Sequence, residues 1–196
     1  MLTNMCGPSS IKLVICILVL FSLGAQASPY YRHIYYCKLN YEFIDEKDIM
    51  QILLDLSTET SLDPNLLYAI IKVESNFDVC ATSPKGAIGL MQILHSTAKL
   101  FEPSISIREL YNPVVNIRIG SFFFKALLDY YKSVLKDTDI ALFASLLAYN
   151  AGPYRDRFPG QAFRYSCKVI RLYAHLSKSE AKYKFIVRLC KKYDEL

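Results

Sequence analysis

The chain has 196 residues, 53% of them hydrophobic and 21% charged, with a formal net charge of +5. That length fits one domain with short extensions. The basic residues are scattered apart from a C-terminal group (Lys178, Lys182, Lys184, Arg188, Lys191 and Lys192), which reads as a solvated helix face, so a nucleic-acid binder is excluded. The mild positive excess suits an anionic surface or polymer.

Lys12 precedes an apolar run from Leu13 to Phe21, and Ala25-Gln26-Ala27 supplies the small-x-small pattern of a cleavage site. The run is too short for a comfortable membrane span, which takes about 20 apolar residues. Residues 1–27 therefore read as an export signal cleaved after Ala27; the alternative is an uncleaved N-terminal anchor. Cleavage removes Lys12, the only charged residue of the segment, and lowers the net charge from +5 to +4. It also removes Cys6 and Cys16. Cys37, Cys80, Cys167 and Cys190 remain, enough for two disulfides in an oxidising compartment, and the sequence leaves all three pairings open. There is no CxxC pair, and His33, His95 and His175 do not cluster with the cysteines, so neither a metal nor a cofactor is expected.

Residues 28–43 are rich in tyrosine and lack helical periodicity; they read as an extended leader tied down by Cys37. Residues 44–196 carry helical signals. Ile49, Ile52, Leu53 and Leu56 mark a first amphipathic helix. In the next, Asp63 is placed to cap and Pro64 suits the first helical position. Residues 78–90, with Pro84, Gly86 and Gly89, predict a loop with a hairpin-like turn. A short helix over 96–101 is expected with Ser96 as its cap. Asn112-Pro113 opens a long helix to about Val134. Asp139 is expected to cap a helix to Tyr149 that Gly152-Pro153 ends. Two last helices are expected over 161–176 and 179–193. The fold class is mainly α, a single helical domain.

Within the second of these helices Leu67, Ile70, Ile71 and Glu74 fall at i, i+3, i+4 and i+7, so a carboxylate closes an apolar stripe. Burial disfavours the charged form and raises the pKa. A carboxylic acid that keeps its proton near neutral pH is what glycosidic bond cleavage requires. The plain alternative is a glutamate turned to solvent or paired with Lys72 or Lys85.

Four motifs follow in order: Glu74-Ser75-Asn76-Phe77, Gly86-Ala87-Ile88-Gly89-Leu90-Met91-Gln92-Ile93, Asn112-Pro113-Val114-Val115-Asn116-Ile117-Arg118-Ile119-Gly120, and Ala148-Tyr149-Asn150-Ala151-Gly152. Gly86 and Gly89 permit backbone paths and close approaches that a Cβ blocks; an ordinary tight turn would use them too. Gln92 offers a donor and an acceptor to sugar hydroxyls or an acetamido group. Asn116 and Gly120, at i and i+4, read as structural, the glycine letting another helix approach. Tyr149 and Asn150 sit where a helix end can project into a cleft, or are plain core and cap. With no tryptophan in the chain, tyrosine is expected to form the platform on which sugars stack.

In this order and spacing the motifs resemble the soluble lytic transglycosylases, peptidoglycan-cleaving enzymes of lysozyme-like fold, over roughly residues 60–175. The resemblance implies an α+β lysozyme-like domain with a catalytic cleft, Glu74 as the catalytic residue, and substrate contacts from Ser75, Gln92, Tyr149, Asn150 and Tyr165. Gly86, Gly89, Met91, Asn116 and Gly120 would be structural. Tyr165 follows Gln161 and Ala162, where the family has an acidic residue and a threonine, and His95 replaces a usual proline; His95 reads as a surface or capping residue. The chemistry implied is cleavage of the N-acetylmuramic acid–N-acetylglucosamine bond with a 1,6-anhydro product, a single glutamate acting as acid and then base. Competing readings are a goose-type lysozyme, with water as acceptor, and a non-catalytic peptidoglycan-binding scaffold. The implied setting is a periplasmic or extracellular monomer that acts on glycan strands, without nucleic acid, and by analogy opens the wall for a secretion, pilus or conjugation machine.

Overall fold

The computed structural model describes residues 29–41, 44–153 and 157–194. The proposed signal segment lies outside the described residues. The elements run α1 (Pro29–Tyr41), α2 (Glu46–Thr60), α3 (Pro64–Ser75), β1 (Ala87–Ile88), β2 (Ile93–Leu94), α4 (His95–Ala98), a 3-10 turn (Glu109–Tyr111), α5 (Pro113–Val134), α6 (Thr138–Ala151), α7 (Gly160–Leu176) and α8 (Lys184–Asp194). No helix among the described residues is long and apolar enough to cross a membrane.

Local chemistry sets most of these boundaries. Asp45 and Asp48 form a reciprocal capping box at the start of α2, whose Ile49, Leu53 and Leu56 face the core. Asp63 accepts from the Asn65 amide, and Pro64 begins α3. Asn112 accepts from the Val114 and Val115 amides ahead of Pro113, and opens the 22-residue α5. Gly152 ends α6 at φ 91°. Asn76 and Phe77, both at positive φ, swing the chain away just after α3, so Glu74 stands in the last turn of its helix.

α5 packs between α2 and α6, and α7 lies against both α6 and α3. The ends of α3, α6 and α7 thereby come together. The two short strands pair antiparallel, Ala87 with Leu94 and Ile88 with Ile93. Their connection drives Leu90 and Met91 into the core, where both are fully buried.

Several sequence expectations shift. Residues 29–41 form a helix rather than an extended leader. What holds them is nonlocal: the Cys37–Cys80 disulfide and the Arg108 guanidinium stacked 3.4 Å from the Tyr36 ring centre. The short helix starts at His95, one residue ahead of Ser96, and no side chain caps it. Asp137, not Asp139, caps α6, accepting from the Asp139 and Ile140 amides. α8 begins at Lys184 rather than 179, because the chain first turns through Lys178 at φ 52°. A second disulfide, Cys167–Cys190, fastens α8 to α7.

Candidate active site

A cleft of about 590 Å³ opens at the meeting point of α3, α6, α7 and the β hairpin. Glu74 lines it and is the only carboxylate among the described residues of its lining. Desolvation pushes the Glu74 carboxyl up to about 7, and the nearby Tyr165 hydroxyl pulls in the opposite direction by favouring the ionised form. The Tyr165 hydroxyl is fully buried, yet no hydrogen bond of normal length and angle satisfies it. It sits close enough to Glu74 to favour the charged carboxylate as a hydrogen-bonding neighbour. Burial and the neighbouring Glu74 push both the Tyr149 and the Tyr165 phenols well above the ordinary tyrosine range, so both stay protonated donors.

Tyr149 is oriented from two sides. Its hydroxyl donates to the Met91 carbonyl at 2.8 Å, and its ring packs on Phe123, with centres 5.3 Å apart, and on Phe124 at 5.8 Å. Asn150, exposed one residue on, lines the cleft. Gln92 also lines it, with its backbone at φ 49°. The Gln92 amide nitrogen donates to the Gly89 carbonyl at 3.0 Å and the Ala81 carbonyl at 3.3 Å, which leaves its side-chain oxygen as the group it can offer a ligand.

The hairpin that presents Gln92 is locked by a buried asparagine. Asn116 donates to the Ile88 and Leu110 carbonyls, each at 2.9 Å, and accepts from the Met91 amide at 2.9 Å. Gly89 holds φ 72°, and a Cβ there would stand 2.5 Å from the Asn116 side-chain nitrogen. A Cβ on Gly120 would meet the Met91 sulfur at 2.5 Å. The space kept by Gly120 is therefore filled by the Met91 side chain, not by a neighbouring helix. Gly86, at φ 80°, closes the turn from Ser83.

Ser75 departs from its expected role: its hydroxyl donates to the Ile71 carbonyl of its own helix at 3.2 Å, and it is not among the cleft-lining residues. Asp78 is exposed and accepts from the Cys80 amide. His95 bonds the Ile105 carbonyl at 2.8 Å and pins the loop behind α4. Among the described lining residues the aromatic rings are Phe123, beside Leu94 and Thr97, and Tyr149, which is almost wholly buried. Phe123 lies at i+7 from Asn116 and i+3 from Gly120, so the helical period of the third motif already placed it on that face. Lys85 and Gln161 are further lining residues that the motifs did not single out as ligand contacts.

Residues 54–165 match the family described as the transglycosylase SLT domain. Among similar curated proteins, the membrane-bound lytic murein transglycosylase C of Glaesserella parasuis is 32% identical over 120 residues, covering 58% of this chain and 33% of that protein. A transglycosylase of Enterobacteria phage PRD1 is 31% identical over 115 residues, covering 59% of this chain and 39% of the phage protein. The membrane-bound lytic murein transglycosylase E of Buchnera aphidicola from Acyrthosiphon pisum is 34% identical over 131 residues, covering 59% and 58%. The chain thus matches well under half the length of the first two. Among solved structures, an inactive Glu-to-Gln mutant of the lytic transglycosylase Slt from Pseudomonas aeruginosa superposes with a TM-score of 0.53 at 22% identity, over 66% of this chain and 24% of that one. That likeness establishes the mainly helical lytic transglycosylase fold.

Proposed function

The chain belongs to the transglycosylase SLT domain family, and from that premise we propose that it is a peptidoglycan lytic transglycosylase with Glu74 as its single acid–base residue. The observation that carries the reading is a cleft carboxyl, the only one among the described lining residues, raised to about 7 by burial. Such a group holds a transferable proton near neutral pH, and once it has given that proton up it is a competent base. Glycosidases of the two-carboxylate type place a second acid across the bond; among the described residues the cleft lining offers none.

The sequence of events follows from that shortage. Protonated Glu74 donates to the oxygen between N-acetylmuramic acid and N-acetylglucosamine. The muramic acetamido oxygen attacks the anomeric carbon as the bond breaks and serves as the nucleophile. Glu74, now ionised, takes the proton of the C6 hydroxyl. The C6 oxygen closes on the anomeric carbon and expels the acetamido oxygen, leaving a 1,6-anhydro end with no water consumed. Tyr165 is the group placed to stabilise the ionised intermediate state of Glu74. Gln92, Tyr149 and Asn150 hold the sugars. Action in the periplasm is part of the same proposal: it rests on the apolar run after Lys12 and on two disulfides that need an oxidising compartment.

The test is digestion of purified peptidoglycan by the wild type and by Glu74→Gln, with mass analysis of the muropeptides. Anhydro ends from the wild type and a loss of activity on the order of a thousandfold or more in the variant are expected. Reducing ends in place of anhydro ends would turn the assignment to a hydrolytic lysozyme. Unchanged lysis by the variant would leave a binding scaffold with an unrelated activity.

A further inference from the structure

Beyond the catalytic pocket, the wall built by α4 carries apolar surface that the core does not use. Leu94 is 40% exposed, Leu100 77% and Phe101 39%. At this turn the core takes Ala98 and Ile105 instead, both buried. The exposed group is continuous with the cleft. Leu94, Thr97 and Phe123 line it, and the Phe101 ring meets Phe123 edge-on with centres 6.3 Å apart. Phe123 in turn packs on Tyr149, whose phenol feels the charge of Glu74. A row of aromatic rings therefore leads from beside the acid out to the rim. Ser83 and Lys85 add polar groups to the same lining. A pyranose offers both kinds of surface, an apolar C–H face and a hydroxyl-bearing edge.

We propose that Phe101, supported by Phe123 and flanked by Leu94 and Leu100, is an outlying sugar platform on which a distal residue of the glycan strand stacks. The inference rests on the reading of the cleft as a glycan site and adds the substrate's extent: the enzyme favours long strands over short fragments. An exposed ring costs free energy unless something covers it, and the glycan strand proposed for the adjoining cleft is the occupant nearest to hand.

The test compares wild type, Phe101→Ala, Phe101→Leu and Phe101→Tyr on two substrates, long peptide-free glycan strands and a tetrasaccharide of the same repeat. For Phe101→Ala the ratio of kcat/KM on long strands to that on the tetrasaccharide is expected to fall about tenfold, mainly through KM on the strands. Phe101→Tyr restores the ratio and Phe101→Leu does not, because stacking needs a ring whereas packing needs only volume. An unchanged ratio in Phe101→Ala, or a leucine variant equal to wild type, overturns the proposal. So does a concentration-dependent dimer that Phe101→Ala abolishes, since the patch would then belong to a second copy. Failure of the wild type to cleave either substrate would instead remove the enzymatic reading beneath it.

Discussion

Asn116 and Glu74 are both polar side chains set among apolar neighbours, and the fold treats them in opposite ways. Asn116 is fully buried, and its three hydrogen bonds tie the β hairpin to the start of α5 and to the 3-10 turn. Glu74 stands in a surround that raises its pKa, with the buried Tyr165 hydroxyl acting on it in the opposite direction. A satisfied polar group fixes geometry, because every alternative arrangement leaves a donor or acceptor stranded. An under-satisfied one stores reactivity at some cost in stability. The two are linked through Met91: its amide donates to Asn116 and its carbonyl accepts from Tyr149, so the structural node holds the wall of the reactive one.

The largest loss of stability is expected from removing the satisfied group. Asn116→Ala strands the Ile88 and Leu110 carbonyls and the Met91 amide and opens a cavity, a loss of about 3–4 kcal/mol. Urea unfolding of the variant at neutral pH measures it; a loss below about 1 kcal/mol would mean that the hairpin is held by other contacts. The opposite sign is expected at Glu74. Its folded-state pKa of about 7 lies above the ordinary 4.5, so the folded protein binds this proton more tightly than the unfolded chain does. The contribution of the group is complete below about pH 4.5, declines as pH rises toward 7 and is lost above it. Glu74→Gln, which never ionises, should therefore be more stable than wild type by up to about 3 kcal/mol at pH 8, the difference closing below pH 4.5. Thermal melts of the two proteins across pH 4 to 8 would show parallel curves if Glu74 were simply solvated.

Where the sequence was legible, the cause was local. Asp63-Pro64 and Asn112-Pro113 announce their helices because cap and first-turn chemistry act over a few residues. Glu74 was visible because a carboxylate fell on an apolar stripe of period 3.6. Asp137 and Asp139 flank the same helix start, and only the backbone geometry chooses between them. α1 was hidden because its anchors, Cys80 and Arg108, lie far along the chain. The same holds for the role of Met91: the spacing of Asn116 and Gly120 marked one helix face, but not that a hairpin side chain, rather than a helix, would pack into it. Ser75 misled because a motif neighbour of the acid shares its helix without sharing its cleft.

The smallest effect on stability, and the sharpest separation of it from function, belongs to Tyr165. Its hydroxyl is fully buried and interacts with Glu74, so deleting that oxygen trades a contact that favours the ionised acid for relief of a desolvation cost. Tyr165→Phe is expected to unfold within about 0.5 kcal/mol of wild type, or slightly later. The ring stays, and the packing of α7 with it. What goes is the donor that favours ionised Glu74, so the Glu74 pKa should rise further and the acid should return to its protonated form too readily. Turnover should fall about tenfold or more, as for the loss of one donor to a charged intermediate, while the alkaline limb of the pH–rate profile moves to higher pH. A purely structural tyrosine would leave that limb where it was.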